Sequence, residues 1–169
     1  MPRPDLSRVP EFYHKYISLV KEDELKEAFI NGSGTLIKFL ENIPADKREY
    51  RYAENKWNIK EVIQHIIDTE RVFNYRALCF ARQDQTPLPG FDENEYSKNS
   101  KAGKRDWNGL LEEFKSIRKS TELLFASFDE EQLNAAGIAN KNSNYVLGMG
   151  YIMVGHGLHH LNVIKERYL

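Results

Sequence analysis

The chain has 169 residues, with 24 Lys and Arg against 25 Asp and Glu, a formal charge of −1. That balance gives no reason to expect nucleic acid or an anionic membrane surface as a partner. Apolar residues make up 41% and charged residues 29%, which excludes wholesale disorder and fits one domain over residues 1–169 with a single core. No stretch approaches the roughly 18 apolar residues of a membrane-spanning helix. The opening MPRPDLSRVPEFYHKY has no continuous apolar block of the secretory type. The lone cysteine, Cys79, cannot form a disulfide within the chain. A cytoplasmic location is therefore expected. Ten glycines and six prolines are few for this length, and with so much charge they point to helices.

The Pro-rich opening reads as an extended arm. From Glu11 to about Ile43 the apolar spacing is helical, through Phe12, Tyr16, Leu19, Leu25, Phe29, Leu36 and Leu40. A weak point is expected at Gly32-Ser33-Gly34, and a stop at Pro44. The second helix has the clearest start: Asn58 precedes Glu61 by three residues, a capping-box arrangement. Ile59, Val62, Ile63, Ile66, Phe73, Ala77 and Phe80 then continue at helical spacing to about Arg82. A third helix, with Asp106 as cap, carries Leu110, Phe114, Ile117, Thr121, Leu124 and Phe128. A fourth runs from about Tyr145 to the C-terminus. No segment reads as an alternating strand, so the expected fold is an all-α four-helix bundle.

Residues 84–104 join helices two and three. A helix of ~24 residues is ~36 Å long, whereas ~21 extended residues reach ~69 Å. The segment can therefore cross the whole bundle and set those two helices parallel. It reads either as a plain crossover or as a lid over a site.

The chain has five histidines: His14, His65, His156, His159 and His160. His156 and His160 stand at i and i+4, one turn apart on one helix face, a spacing at which two imidazoles can grip one metal ion. His159, at i+3 from His156, is an alternative partner by spacing alone. His65 lies mid-helix beside an apolar stripe, and bundle packing can bring it to the others. Two ligands from one helix and one from another leave a coordination position for water or substrate, as in catalytic rather than structural zinc sites. The competing reading is a set of histidines that merely satisfy one another in a structural bundle. Gly148, Gly150, Gly155 and Gly157 surround this segment, each costing ~1 kcal/mol against Ala in a helix interior, which implies close packing there. The Glu-x-x-His pattern of di-iron bundles occurs once, at Glu11 and His14, and there is no HExxH, CxxC or Gly-rich phosphate loop. Cys79 reads as a small buried hydrophobe.

KWNIKEVIQHIIDTERVFNYRALCFARQDQTPLPGFDENEY, followed by GHGLHHLNVIKERYL, resembles the DinB-like superfamily across nearly the whole chain. That group includes bacillithiol S-transferases and other thiol-dependent transferases related to mycothiol-dependent maleylpyruvate isomerase. The most specific parts are the Trp57-to-Asp68 start of the second helix and the H-x-x-x-H of the fourth. The resemblance implies a four-helix bundle with a long crossover between helices two and three, often a homodimer. It implies a divalent metal, nickel or zinc, on His65, His156 and His160, with His159 a neighbour. It also implies a thiol S-transferase that uses a low-molecular-weight thiol on a small electrophilic substrate. A metal-dependent hydrolase and a non-enzymatic, stress-associated homodimer binding metal or a small ligand are the alternatives. Asp68 matches the family's acidic position and reads as holding a ligand's second nitrogen, as a base on bound water, or as a surface partner of Arg71. Glu70, Arg71 and Arg76 either reach the cavity, where they would pair with an anionic substrate, or lie exposed. Because ligating imidazoles are neutral, metal occupancy is expected to fall below pH ~6.5.

Overall fold

The computed structural model describes residues 3–169. An N-terminal arm leads through a 3₁₀ turn at Glu11–Tyr13 into the one-turn helix α1 (His14–Ile17). The chain then leaves helical geometry, and α2 (Leu25–Glu41) runs unbroken through Gly32-Ser33-Gly34. The break in the first helical region therefore lies between residues 17 and 25, not at the glycines. Side chains from elsewhere claim the carbonyls a continuous helix would need. The Arg3 guanidinium donates to the carbonyls of Ile17, Val20 and Glu22, and the Tyr151 hydroxyl donates to that of Asp23 at 2.7 Å. Gly32 serves packing instead: a Cβ there would lie 2.8 Å from Val154 Cγ1 on the last helix.

The helix α3 (Ile59–Ala81) opens on the expected capping box. The Asn58 side chain accepts the Glu61 N–H at 2.9 Å, and the Glu61 carboxylate accepts the Asn58 N–H at 2.8 Å. The crossover contains its own helix, α4 (Glu93–Ser100), capped by Asp92, and a 3₁₀ turn at Ala102–Lys104. Asp106 caps α5 (Trp107–Ala126) by accepting the Gly109 N–H at 2.8 Å. After the short α6 (Glu130–Asn134) the chain forms a hairpin, β1 (Ala136–Ala139) with β2 (Asn142–Tyr145). This corrects the expectation of no strand. AGIA and NSNY show no alternation to read. The hairpin is made by a left-handed turn at Asn140 and Lys141, φ 49° and 64°, and by a bridge to Leu88 of the crossover. The last helix, α7, spans Val146–Arg167.

The long helices α2, α3, α5 and α7 form the bundle, and their contacts fix its directions. Gln64, Glu70 and Asn74 meet Arg105, Arg118 and Thr121 in the same order, so α3 and α5 are parallel. The segment between them does cross the bundle. Gly32 and Leu36 meet Val154 and Gly157, so α2 and α7 are also parallel. α3 and α7 are antiparallel: the Tyr168 hydroxyl donates to the Trp57 carbonyl, while His65 faces His156 and His160.

The apolar interior is divided in two. One cluster holds Phe29, Phe80, Phe125 and Tyr151, and the other Leu36, Ile63, Phe114 and Leu161. On every helix a polar residue separates the two: Ser33, Glu70, Arg118 with Thr121, and His156. Glu70 and Arg118 are 2% and 1% exposed and lie 2.9 Å apart. The Thr121 hydroxyl donates to Glu70, and the Asn74 amide donates to Thr121. Burying an ion costs several kcal/mol even when it is paired, so hydrophobic packing alone does not account for this belt. The histidines lie at its level.

Candidate metal centre

His65 projects from the second turn of α3, and His156 and His160 from successive turns of α7. Packing of the antiparallel pair brings His65 Nε2 to 3.1 Å from His156 Nε2, and His160 Nε2 to 3.0 Å from the same atom. A ligand atom from each of the three lies within 4.8 Å of the others. An imidazole Nε2 carries either one proton or one lone pair, so His156 cannot make both contacts as good hydrogen bonds. Two nitrogens each ~2.0–2.1 Å from a tetrahedral zinc stand about 3.3 Å apart, within a few tenths of the observed separations. The donor set thus fits a divalent cation better than it fits itself.

The electrostatics agree. Burial pushes His65 down from 6.5 to about 4. Burial, then the neighbouring His65 and His159, pushes His160 down to about 3. His156 is driven well below 6.5 by burial and by the other histidines. All three rings are neutral at physiological pH, the form that ligates. Burial opposes protonation of these rings, so any acid release of a bound ion is expected at lower pH than for exposed imidazoles.

The three histidines line a cavity of about 360 Å³, within the usual range for small-molecule sites. Trp57 packs on His65 with ring centroids 4.8 Å apart, and Tyr16 on His156 at 5.5 Å. Phe91 and Glu93 of the crossover and Asn140 of the hairpin turn also face it. The segment expected as either crossover or lid therefore both crosses the bundle and walls the site. Gly155 makes the Tyr16 contact possible: a Cβ there would lie 2.0 Å from the Tyr16 carbonyl oxygen. The parts played by Tyr16 and Asn140 went unread in the sequence because α1 and the hairpin reach the site only through tertiary packing.

Other candidates are placed elsewhere. The Asp68 carboxylate accepts from the Gln64 amide at 2.9 Å and stands 3.7 Å from Arg71, and it is not on the cavity wall. Arg71 is half exposed and pairs with Glu113 at 2.6 Å. Glu70 is buried against Arg118. Of the charged residues considered on α3, Arg76 does line the cavity. His159 packs its ring on Tyr16 at 5.2 Å and lies outside the Nε2 cluster. His14 meets the carbonyls of Leu6 and Val9, and Cys79 is a buried free thiol.

A family model described as the DinB superfamily matches residues 29–164. The chain belongs to the DinB superfamily. Among solved structures, this DinB-superfamily chain is similar to YfiT from Bacillus subtilis, described as a probable metal-dependent hydrolase with an unusual four-helix bundle topology. The TM-score is 0.73 at 18% identity, over 97% of this chain and 90% of that one. It is also similar to a mycothiol-dependent maleylpyruvate isomerase, with a TM-score of 0.68 at 8% identity, over 94% of this chain and 62% of that one. At these identities both likenesses establish the fold. No curated protein matches the chain. Among the described residues no helix is long and apolar enough to cross a membrane.

Proposed function

We propose that this chain is a metal-dependent enzyme that holds one divalent ion, zinc or nickel, on His65, His156 and His160, and transfers a low-molecular-weight thiol to a small electrophilic substrate. The observation that carries the reading is the convergence of three neutral imidazoles on the wall of a cavity of about 360 Å³. A divalent ion held by His65, His156 and His160 would supply Lewis acidity that favours the thiolate form of a thiol bound in the cavity. In the overall reaction the thiol loses its proton, a sulfur–carbon bond forms, and the leaving group departs with the electrons of its bond to carbon. Trp57, Phe73 and Phe91 supply apolar walls that exclude water. Tyr13 and Tyr16, whose phenols burial raises above their ordinary value, line the cavity as protonated hydroxyls that can hydrogen-bond a bound substrate. Hydrolysis, with water in the thiol's place, is the second reading, and the similarity to YfiT favours it. A cytoplasmic homodimer belongs to the proposal: Ile30 and Leu123, 55% and 60% exposed, flank one apolar depression on the α2–α5 face.

Elemental analysis of the purified protein tests the metal, with about one divalent ion per chain expected and none in His156→Ala. Full metal content in that variant would refute the ligand set. Incubating metal-loaded protein with an epoxide probe, with and without a panel of small thiols, separates the two chemistries. Consumption that requires a thiol supports transfer, and consumption without one supports hydrolysis.

A further inference from the structure

The wall that α3 gives to the cavity is a single stripe: His65, Thr69, Phe73 and Arg76. At about 100° per residue, His65 and Arg76 differ by only about 20° in azimuth and stand about 16 Å apart along the axis. The far end of the stripe is unusual. Arg76 is 4% exposed as a residue, and its guanidinium donates a hydrogen bond from Nη2 to the Pro89 carbonyl at 2.7 Å. Phe73 lies under it, the ring centroid 5.3 Å away. Among the described residues no carboxylate comes within 4.0 Å of it. Glu93, on the same cavity wall, is an acid whose charge it feels. A guanidinium carries five N–H donors and is costly to bury without an anion. Midway along the stripe, the buried Thr69 hydroxyl also lacks a hydrogen-bond partner.

We propose that the cavity is two-ended: Arg76 binds the carboxylate of an elongated small molecule whose reactive end lies at the histidines, with Thr69 bonding to its middle. The inference rests on the reading of the histidines as the reactive end. It names the substrate class, an acid whose carboxylate is roughly 10–16 Å from its reacting atom, the span set by helix rise and side-chain lean. The carboxylate belongs either to the thiol or to the electrophile.

Two probe series separate those sources: ω-mercaptoalkanoic acids from mercaptopropanoate to mercaptoundecanoate, and ω-chloroalkanoic acids of matching length, each against its methyl ester. Binding is followed by quenching of tryptophan fluorescence, since Trp57 lines the cavity, on nickel-loaded protein whose metal content is measured in the same samples. In one series the longer acids are expected to bind at least about ten-fold tighter than their esters, the strength of a charge-assisted hydrogen bond. The short acids should show no such preference. Arg76→Gln should abolish the preference without weakening the esters, and Arg76→Lys should keep part of it. Glu93→Gln removes a competing carboxylate and should strengthen acid binding a few-fold while leaving the esters unchanged, so the test survives if Arg76→Gln does not fold. Equal binding of acids and esters in both series, or no binding at all, overturns the inference, as does equal weakening of both by Arg76→Gln. Full metal content without an acid preference sinks this inference alone; an acid preference in protein that takes up no metal sinks the metal reading alone.

Discussion

Replacing Gly155 by Ala tests how the site is assembled, because the substitution that normally strengthens a helix should weaken this one. Ala is favoured over Gly by ~1 kcal/mol in a helix interior. At residue 155, however, the new Cβ would lie 2.0 Å from the Tyr16 carbonyl oxygen and 2.5 Å from its carbon. These are backbone atoms of α1 and cannot rotate away. The helix α1 must move bodily by about 1 Å or more, at the upper end of the ~1–3 kcal/mol range for overpacking. The net expectation is a loss of ~2 kcal/mol, or about 4–8 °C in Tm for a domain of this size. Gly34→Ala is the matched control. It sits exposed inside α2 with nothing within 4 Å of the new Cβ, so it should gain ~0.5–1 kcal/mol and raise Tm by a few degrees. Thermal unfolding followed by circular dichroism on chelator-treated protein reads both without a contribution from metal binding. Gly155→Ala melting with or above the wild type, or Gly34→Ala melting clearly below it, would refute the packing argument.

Acid should destabilise the metal-free protein earlier than ordinary carboxylate titration would. The unfolded histidines take up protons below 6.5, while the folded His65 and His160 wait until about 4 and about 3. The unfolded state therefore binds more protons in that window, and stability is lost as pH is lowered, by up to ~1.4 kcal/mol per unit for each histidine. Urea midpoints at pH 7, 6 and 5 check this, and a flat profile for the wild type, or no flattening in His160→Gln, contradicts it. Glu70→Gln should cost ~3–5 kcal/mol by stranding the Arg118 charge. The double variant with Arg118→Met should recover most of that in chemical denaturation, and additive losses would show that the two residues do not act as a pair. Asp68→Asn should leave metal content unchanged, since its carboxylate is engaged by Gln64 and Arg71. A clear drop by elemental analysis would return it to the site.

What was legible in the sequence was local. Asn58 and Glu61 announce the start of α3 because a capping box is complete within four residues. His156 and His160 declare a shared face because helix geometry fixes i and i+4. The crossover followed from chain length, since enough residues lie between Arg82 and Trp107 to traverse a helix. What stayed hidden depends on partners distant in sequence. The chain leaves the helix after Ile17 because Arg3 and Tyr151 claim its carbonyls, and nothing between residues 17 and 25 reports those partners. Gly32 looked like a breaker because glycine has two uses, a flexible backbone and a bare surface, and only the presence of Val154 shows which one applies. The hairpin rests on the left-handed Asn140-Lys141 pair and on Leu88, none of which is a strand signal. His65 is a candidate third ligand from bundle packing before any resemblance is drawn, but its partners are tertiary, so the choice of His160 over His159 beside it comes from the family resemblance.

Two of the three convergent nitrogens ride on α7, and the third comes from its antiparallel neighbour. The separation within α7 is fixed by one helical turn, so a slide or tilt between the rods changes only the distances to residue 65. An ion with a visible ligand-field spectrum, such as cobalt, would then serve as a gauge of interhelix alignment. Mutations far down the bundle could be ranked by the colour of the protein before any reaction is assayed.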